Sequence, residues 1–220
     1  MTRPLPPAIF AIGKNYADHA AEMGSAPPEK PTVFMKNPAC VISNGQDIVI
    51  PPICLEPHPQ VDYEGELAVI LGQDTRDVAE ADALTCISSY AVANDVTARW
   101  WQKQGSGGQW IRGKSFDTFC PLSDPVDAAH VSDPQNLTIK TQVNGCCVQE
   151  DSTSNMIFSV ATLISQLSTG LTLLKGTILL TGTPAGVGHA KSPPTYLQDG
   201  DVVEIEIDQI GTLRNQVRLD

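Results

Sequence analysis

Apolar residues along this chain come in short runs that turn-forming residues close, and that spacing decides the class of fold. Ala8–Ile12 ends at Gly13, Asp47–Ile50 ends at Pro51-Pro52, and Ile178–Leu180 opens onto Thr181-Gly182-Thr183-Pro184. Val61 to Leu71 starts as an alternation and finishes as a continuous apolar stretch, the mark of a strand that passes from an edge into a core. Ile87–Ala93 reads as a buried strand, and Leu137–Asn144 as an alternating one that enters an Asn144-Gly145 hairpin turn. Val202–Ile207 and Thr212–Leu219 are closing strands across Gly211. Seventeen Gly and 17 Pro suit such punctuation and disfavour a helical bundle.

Four helices are expected: Asn15–Met23, Asp77–Leu84, Thr97–Gln104, and Met156–Leu167 with Thr153 or Ser154 as its cap. Residues 105–121 have no clean period and read as an ordered loop. The sum is a mainly β (α+β) fold, barrel-like or a rolled sheet, forming a single domain over residues 1–220 with residues 1–7 as a flexible N-terminus.

A formal charge of −11 has the wrong sign for a nucleic-acid partner. No run of about 18 apolar residues is present to span a bilayer, and the first residues lack the apolar stretch of a signal peptide. The expected setting is the cytoplasm, with a mitochondrial one as the alternative. Six cysteines without C-x-x-C spacing are expected to be reduced and mostly buried, Cys146 and Cys147 being ordinary strand residues after the Asn-Gly turn. Asn136-Leu137-Thr138 is read as a chance glycosylation match.

Glu64 and Glu66 stand at i and i+2 on the expected strand, so their carboxylates share one face with Gly65 between them. An isolated Glu-x-Glu is as well explained by a solvated strand face. Asp95 ends the 87–93 strand, where its carboxylate is expected to be exposed at a sheet edge. Three oxygen donors suit Mg²⁺ or Mn²⁺, with Ca²⁺ possible, and no His or Cys spacing suits zinc. His19 and Glu22, at i and i+3 on the first helix, could form a general-base dyad or a surface charge cluster. Arg99 and Gln102 share a helix face that could hold a substrate carboxylate, and Lys114 sits among small and aromatic residues. His58, His130 and His189 have no partner at helical spacing and carry no assignment.

Five segments together resemble the fumarylacetoacetate hydrolase family. They are Gly13-Lys14-Asn15-Tyr16-Ala17-Asp18-His19, Asp62-Tyr63-Glu64-Gly65-Glu66-Leu67, Asn94-Asp95-Val96-Thr97-Ala98-Arg99, Lys114-Ser115-Phe116-Asp117-Thr118-Phe119-Cys120-Pro121 and Thr181-Gly182-Thr183-Pro184-Ala185-Gly186-Val187-Gly188. The resemblance runs from about residue 8 to the C-terminus. It implies that family's mixed β-sandwich roll with a few short helices, a homodimer, and a Mg²⁺ or Mn²⁺ ion held by Glu64, Glu66 and Asp95. It also implies His19 and Glu22 as the water-activating dyad, Arg99, Gln102 and Lys114 as substrate contacts, and Thr183 on a loop that closes the site. Trp100-Trp101 departs from relatives, where the residue after the Thr-Ala-Arg segment is often acidic. The short amino-terminal stretch is expected to leave no room for a further domain.

The expected activity is metal-dependent chemistry on short 2-oxo or β-diketo acids through a chelated enolate, with His19, Glu22 and Lys114 as the catalytic residues and Lys114 stabilising negative charge. Hydrolytic C–C cleavage of acylpyruvates comes first. Decarboxylation or keto–enol tautomerisation of oxaloacetate is the alternative within the family. A catalytically silent homodimer that binds a dicarboxylate is the alternative of another class.

Overall fold

Backbone pairing brings the distant apolar runs into two curled sheets. The computed structural model describes residues 5–220, so the expected flexible stretch 1–7 lies in its first four residues outside the described residues. An eight-stranded mixed sheet runs β2 (Thr32–Lys36), β1 (Ile9–Gly13), β13 (Ile178–Leu180), β6 (Gly65–Leu71), β7 (Ile87–Asn94), β9 (Cys120–Leu122) and β3 (Val41–Ser43), with β10 (Val126–Asp127) beside β7. A five-stranded sheet runs β12 (Cys146–Ser152), β11 (Thr138–Val143), β14 (Val202–Ile207), β15 (Gly211–Leu219) and β4 (Ile48–Ile50). A two-stranded ribbon joins β5 (Val61–Asp62) to β8 (Thr97–Ala98).

The main core lies between the two larger sheets. Leu67, Val69 and Val92 belong to the same buried cluster as Ile139, Ile205 and Val217. Each such side chain contributes about 1.5–3 kcal/mol by leaving water. The other face of the large sheet buries small residues, Ala11, Ala68, Ala91 and Ala93, under Phe34 and Ile70. That two-sided burial is why the ends of the Val61–Leu71 and Ile87–Ala93 runs are apolar at every position.

Tertiary contacts override the local helix signals at three places. Helix α4 covers Val160–Ser168 and is capped by Ser159, whose hydroxyl accepts from Thr162 N–H. It does not begin at Met156, because the Ile157 and Phe158 amides donate to the backbone and side-chain oxygens of Asn15. Thr153 and Ser154 form a separate 3₁₀ turn. Asp77 caps no helix, since its amide donates to Ser168 O and its carboxylate accepts from Gly170 N–H; the turn there is 3₁₀, over Glu80–Cys86. Thr97-Ala98 pairs as β8, which leaves α2 only Arg99–Gln102. A short helix α3, Trp110–Lys114, occupies part of the expected loop. All six cysteines are free, and Cys146 and Cys147 are exposed on β12 after a turn in which Asn144 and Gly145 have φ of 52° and 78°.

Candidate metal centre and active site

The pairing of β6 with β7 explains how residues 30 apart in sequence meet. Gly65 pairs with Asn94, Asp95 N–H donates to Glu64 O at 2.8 Å, and Asn94 Oδ1 accepts from Glu64 N–H at 3.0 Å. Glu64 sits in the break between β5 and β6, so the expected continuous strand is interrupted. The faces still coincide: Glu64, Glu66 and Asp95 offer ligand atoms that all lie within 4.8 Å of one another. All three are buried, Asp95 completely, so the edge exposure expected for Asp95 is absent.

Gly65 is required where it stands, because a Cβ there would come within 2.2 Å of Thr141 Oγ1. Buried cations fix two of the carboxylates. Lys114 Nζ donates to Glu64 Oε2 at 2.6 Å and to Asp95 Oδ2 at 2.5 Å. Lys36 Nζ reaches Asp95 Oδ1 at 2.6 Å, and Arg99 Nη1 reaches Glu64 Oε1 at 2.6 Å. Burial opposes ionisation of Glu64, yet Lys114 and Arg99 outweigh it and hold its pKa at about 2. Glu66 differs: burial, then the charges of Asp95 and Glu64, push its pKa well above the carboxylate range. Among the described residues no ammonium or guanidinium lies within 4.0 Å of it, and Gly182 N–H donates to its Oε2 at 2.7 Å.

Asp62 extends this network. It is fully buried, and its carboxylate accepts from Arg99 Nε at 2.9 Å, from Arg99 Nη2 at 2.7 Å, and from the amides of Gly188 and His189. Four buried carboxylates thus face three buried cations, and a further cation suits the set. The donors are carboxylate oxygens, the chemistry of a hard divalent ion. Opposite ligands of an octahedral ion with bonds of about 2.1 Å sit about 4.2 Å apart, comparable with the span of the triad. The buried triad could hold a divalent metal.

The dyad residues meet on α1 (Ala17–Glu22), with His19 Nδ1 2.7 Å from Glu22 Oε1. Gly24, at φ 71°, ends this helix in the left-handed conformation. Asn15, fully buried, anchors the start of the segment by donating to Thr181 O at 2.8 Å and Phe158 O at 3.0 Å. The 181–188 loop ties the dyad to the triad: Gly182 N–H holds Glu66, and Gly186 N–H holds Glu22 Oε2 at 2.8 Å. Gly186 has φ 109°, and a Cβ on it would come within 2.0 Å of Val148 O. Gly186→Ala should therefore cost about 1–3 kcal/mol and lower the melting temperature by roughly 3–10 °C. Turnover should fall with it as Glu22 loses its amide donor; thermal unfolding and rate measurements that match wild type would contradict this tether.

A cavity of about 230 Å³ opens between these groups, lined by His19, Glu64, Glu66, Arg99, Gln102, Lys114 and Thr183. Of the sequence candidates, Asp95 and Glu22 lie just behind it. Thr183 is buried, its hydroxyl accepting from Gln149 Nε2 at 2.8 Å. The Arg99 fork offered to a substrate carboxylate is largely committed to Asp62 and Glu64, and Gln102 Oε1 lies 3.4 Å from Arg99 Nη1. Sequence reasoning missed Lys36, Asp62, Lys14, Lys103, Phe34 and Trp110. Asp62 had a signal, because positions 62, 64 and 66 share strand parity. Lys36 had a weaker one, a lysine closing the Val33-Phe34-Met35 run.

The family profile described as Fumarylacetoacetate (FAA) hydrolase C-terminal matches residues 8–218. The protein named oxaloacetate tautomerase YisK of Bacillus subtilis is 46% identical over 212 residues, covering 95% of this chain and 69% of that protein. The one named oxaloacetate tautomerase fahd2, mitochondrial, of Xenopus laevis is 42% identical over 213 residues, covering 96% of this chain and 66% of that protein. The chain thus spans about two thirds of the length of those two relatives. The crystal structure of a 5-carboxymethyl-2-hydroxymuconate delta-isomerase from Mycobacterium smegmatis superposes with a TM-score of 0.85 at 38% identity, covering 98% of this chain and 80% of that one. Among the described residues no helix is long and apolar enough to cross a membrane.

Proposed function

The chain belongs to the fumarylacetoacetate hydrolase family, a family of enzymes, and from that premise we propose that it interconverts the keto and enol forms of a short 2-oxo dicarboxylate of the oxaloacetate class. The observation that carries this reading is that His19, backed by Glu22, and Glu64 and Glu66, backed by Asp95, border one small cavity. A volume of about 230 Å³ suits a substrate of few heavy atoms. Relatives named oxaloacetate tautomerase support the reaction type over the acylpyruvate hydrolysis that sequence reasoning put first.

In this reading Glu64, Glu66 and Asp95 hold Mg²⁺ or Mn²⁺. When bound, the ion supplies a Lewis acid that stabilises negative charge on a substrate oxygen, an effect worth several kcal/mol. His19 moves the proton. With Nδ1–H donated to Glu22 Oε1, the tautomer is fixed and the Nε2 lone pair is left free. Nε2 takes a proton from C3 of the keto form, and the same imidazole delivers one to the C2 oxygen, so one C–H bond breaks, one O–H bond forms and nothing is released. Arg99 acts as a positioning residue: it joins Asp62 to Glu64 and keeps the latter ionised. Lys114, shared by Glu64 and Asp95, balances their charge beside the substrate. The homodimer belongs to the same proposal. Exposed Val33 and Met35 on the edge strand β2 favour it, and sedimentation measures it.

The test follows the ultraviolet absorbance of enol-oxaloacetate, with pyruvate release measured separately from oxaloacetate and acetylpyruvate. The expected result is rapid loss of enol that EDTA abolishes and Mg²⁺ or Mn²⁺ restores, with little pyruvate from either compound. Faster cleavage of acetylpyruvate would instead establish the hydrolase, and rapid pyruvate formation from oxaloacetate the decarboxylase. A folded, metal-loaded protein inert on both would return the silent dicarboxylate binder.

A further inference from the structure

Two lysines that border the cavity have no place in the network just described. Lys14 and Lys103 both line it, yet neither has a carboxylate within 4.0 Å among the described residues, although the chain carries a formal charge of −11. The other two cations lining it, Arg99 and Lys114, are paired with acids. Lys14 is half-buried and follows β1 with φ 59°, a left-handed conformation uncommon for a lysine. Such strain recurs at ligand sites, and here it is held by Asn15, whose side chain is locked to Thr181 and Phe158.

Lys103 is more exposed and is aimed by a second layer. Its Nζ donates to His189 Nε2 at 3.2 Å. An ammonium can only donate, so Nε2 accepts, Nδ1 carries the proton, and Nδ1–H donates to Tyr196 Oη at 2.8 Å. The His189 amide is in turn bonded to Asp62 at 2.9 Å. Partial burial, and then the charges of Arg99 and Lys14, lower the pKa of Lys103, which fits ammonium groups gathered on one side of the cavity without a counter-ion. Ile12, Met23, Phe34 and Trp110 complete the lining with largely apolar surface, and Phe34 and Trp110 pack with ring centroids 5.3 Å apart.

We propose that Lys14 and Lys103 form an anion subsite at the mouth of the cavity, that it takes the carboxylate of the substrate farther from the metal centre, and that it thereby selects dicarboxylates over 2-oxo acids with a neutral tail. The proposal rests on reading the cavity as a 2-oxo acid site. It supplies what Arg99 does not: two ammonium groups free to donate charge-assisted hydrogen bonds.

The test measures binding, so it stands apart from turnover. Dissociation constants for 3,3-difluoro-oxaloacetate, a dicarboxylate with no C3 hydrogen, and for 2-oxobutyrate, whose tail is a methyl group, are measured by calorimetry with Mg²⁺ present. Lys103→Met and Lys14→Asn are compared with wild type, asparagine being chosen because it tolerates positive φ. Each should weaken the dicarboxylate by about 10- to 100-fold and leave 2-oxobutyrate within about twofold, while Lys103→Arg restores most of the preference. Equal weakening of both ligands, or no change in either, would overturn the subsite. Should Lys14→Asn fold poorly, Lys103→Met and Lys103→Arg decide the question alone. If oxaloacetate proves not to be turned over, the tautomerase reading falls while the binding preference remains; if turnover is intact and the preference is unmoved, only the subsite falls.

Discussion

Glu66→Gln should give a protein that folds as well as wild type but no longer holds a divalent ion. The glutamine keeps an oxygen for Gly182 N–H, so no buried donor is orphaned. It removes a fully buried carboxylate that has no cation within 4.0 Å among the described residues. Burial and the charges of Asp95 and Glu64 already favour the neutral carboxyl at this position, so a neutral amide should leave the melting temperature in EDTA close to that of wild type. Affinity for Mn²⁺ should fall by more than about 100-fold. Turnover should fall by about 1,000-fold, the value of several kcal/mol of lost charge stabilisation. Calorimetry with Mn²⁺, thermal unfolding in EDTA and the enol assay read the three quantities. An unchanged Mn²⁺ affinity would remove Glu66 from the ligand set.

His19→Ala separates proton transfer from binding. The imidazole borders the cavity but does not belong to the triad, so Mn²⁺ affinity and the dissociation constant for 3,3-difluoro-oxaloacetate should stay near wild type. The rate constant for enol–keto conversion should fall by about 10²- to 10⁴-fold, the range that a positioned general base contributes. Glu22→Gln should fall less, because it disturbs the tautomer while leaving Nε2 in place. A His19→Ala enzyme with wild-type turnover would make the dyad a structural feature and leave the triad to act alone.

How much of this was legible in the sequence depends on the range of each interaction. The Glu-x-Glu spacing and the i, i+3 pair survive into the structure because strand parity and helix pitch are local. The hairpin at Asn144-Gly145 survives for the same reason. Asp95 joining Glu64 depends on the β6–β7 register, which no single segment encodes, and the family motifs supplied that link. The Met156 helix start failed because Asn15, about 140 residues earlier, takes the amides of 157 and 158. Arg99 lines the cavity, but its fork, expected to hold a substrate carboxylate, is claimed by Asp62, a neighbour only through β5 and β8. Lys36, Lys103 and His189 acquire partners only when separate loops and strands pack together, so their spacing carries no pattern to read.

Anomalous diffraction from crystals grown with Mn²⁺ and 3,3-difluoro-oxaloacetate tests the central claim most directly. The account predicts one manganese peak bonded by Glu64, Glu66 and Asp95, with the bound dicarboxylate between that peak and the His19 ring. A peak that lacks any of the three carboxylates, or a ligand that lies away from His19, would contradict it.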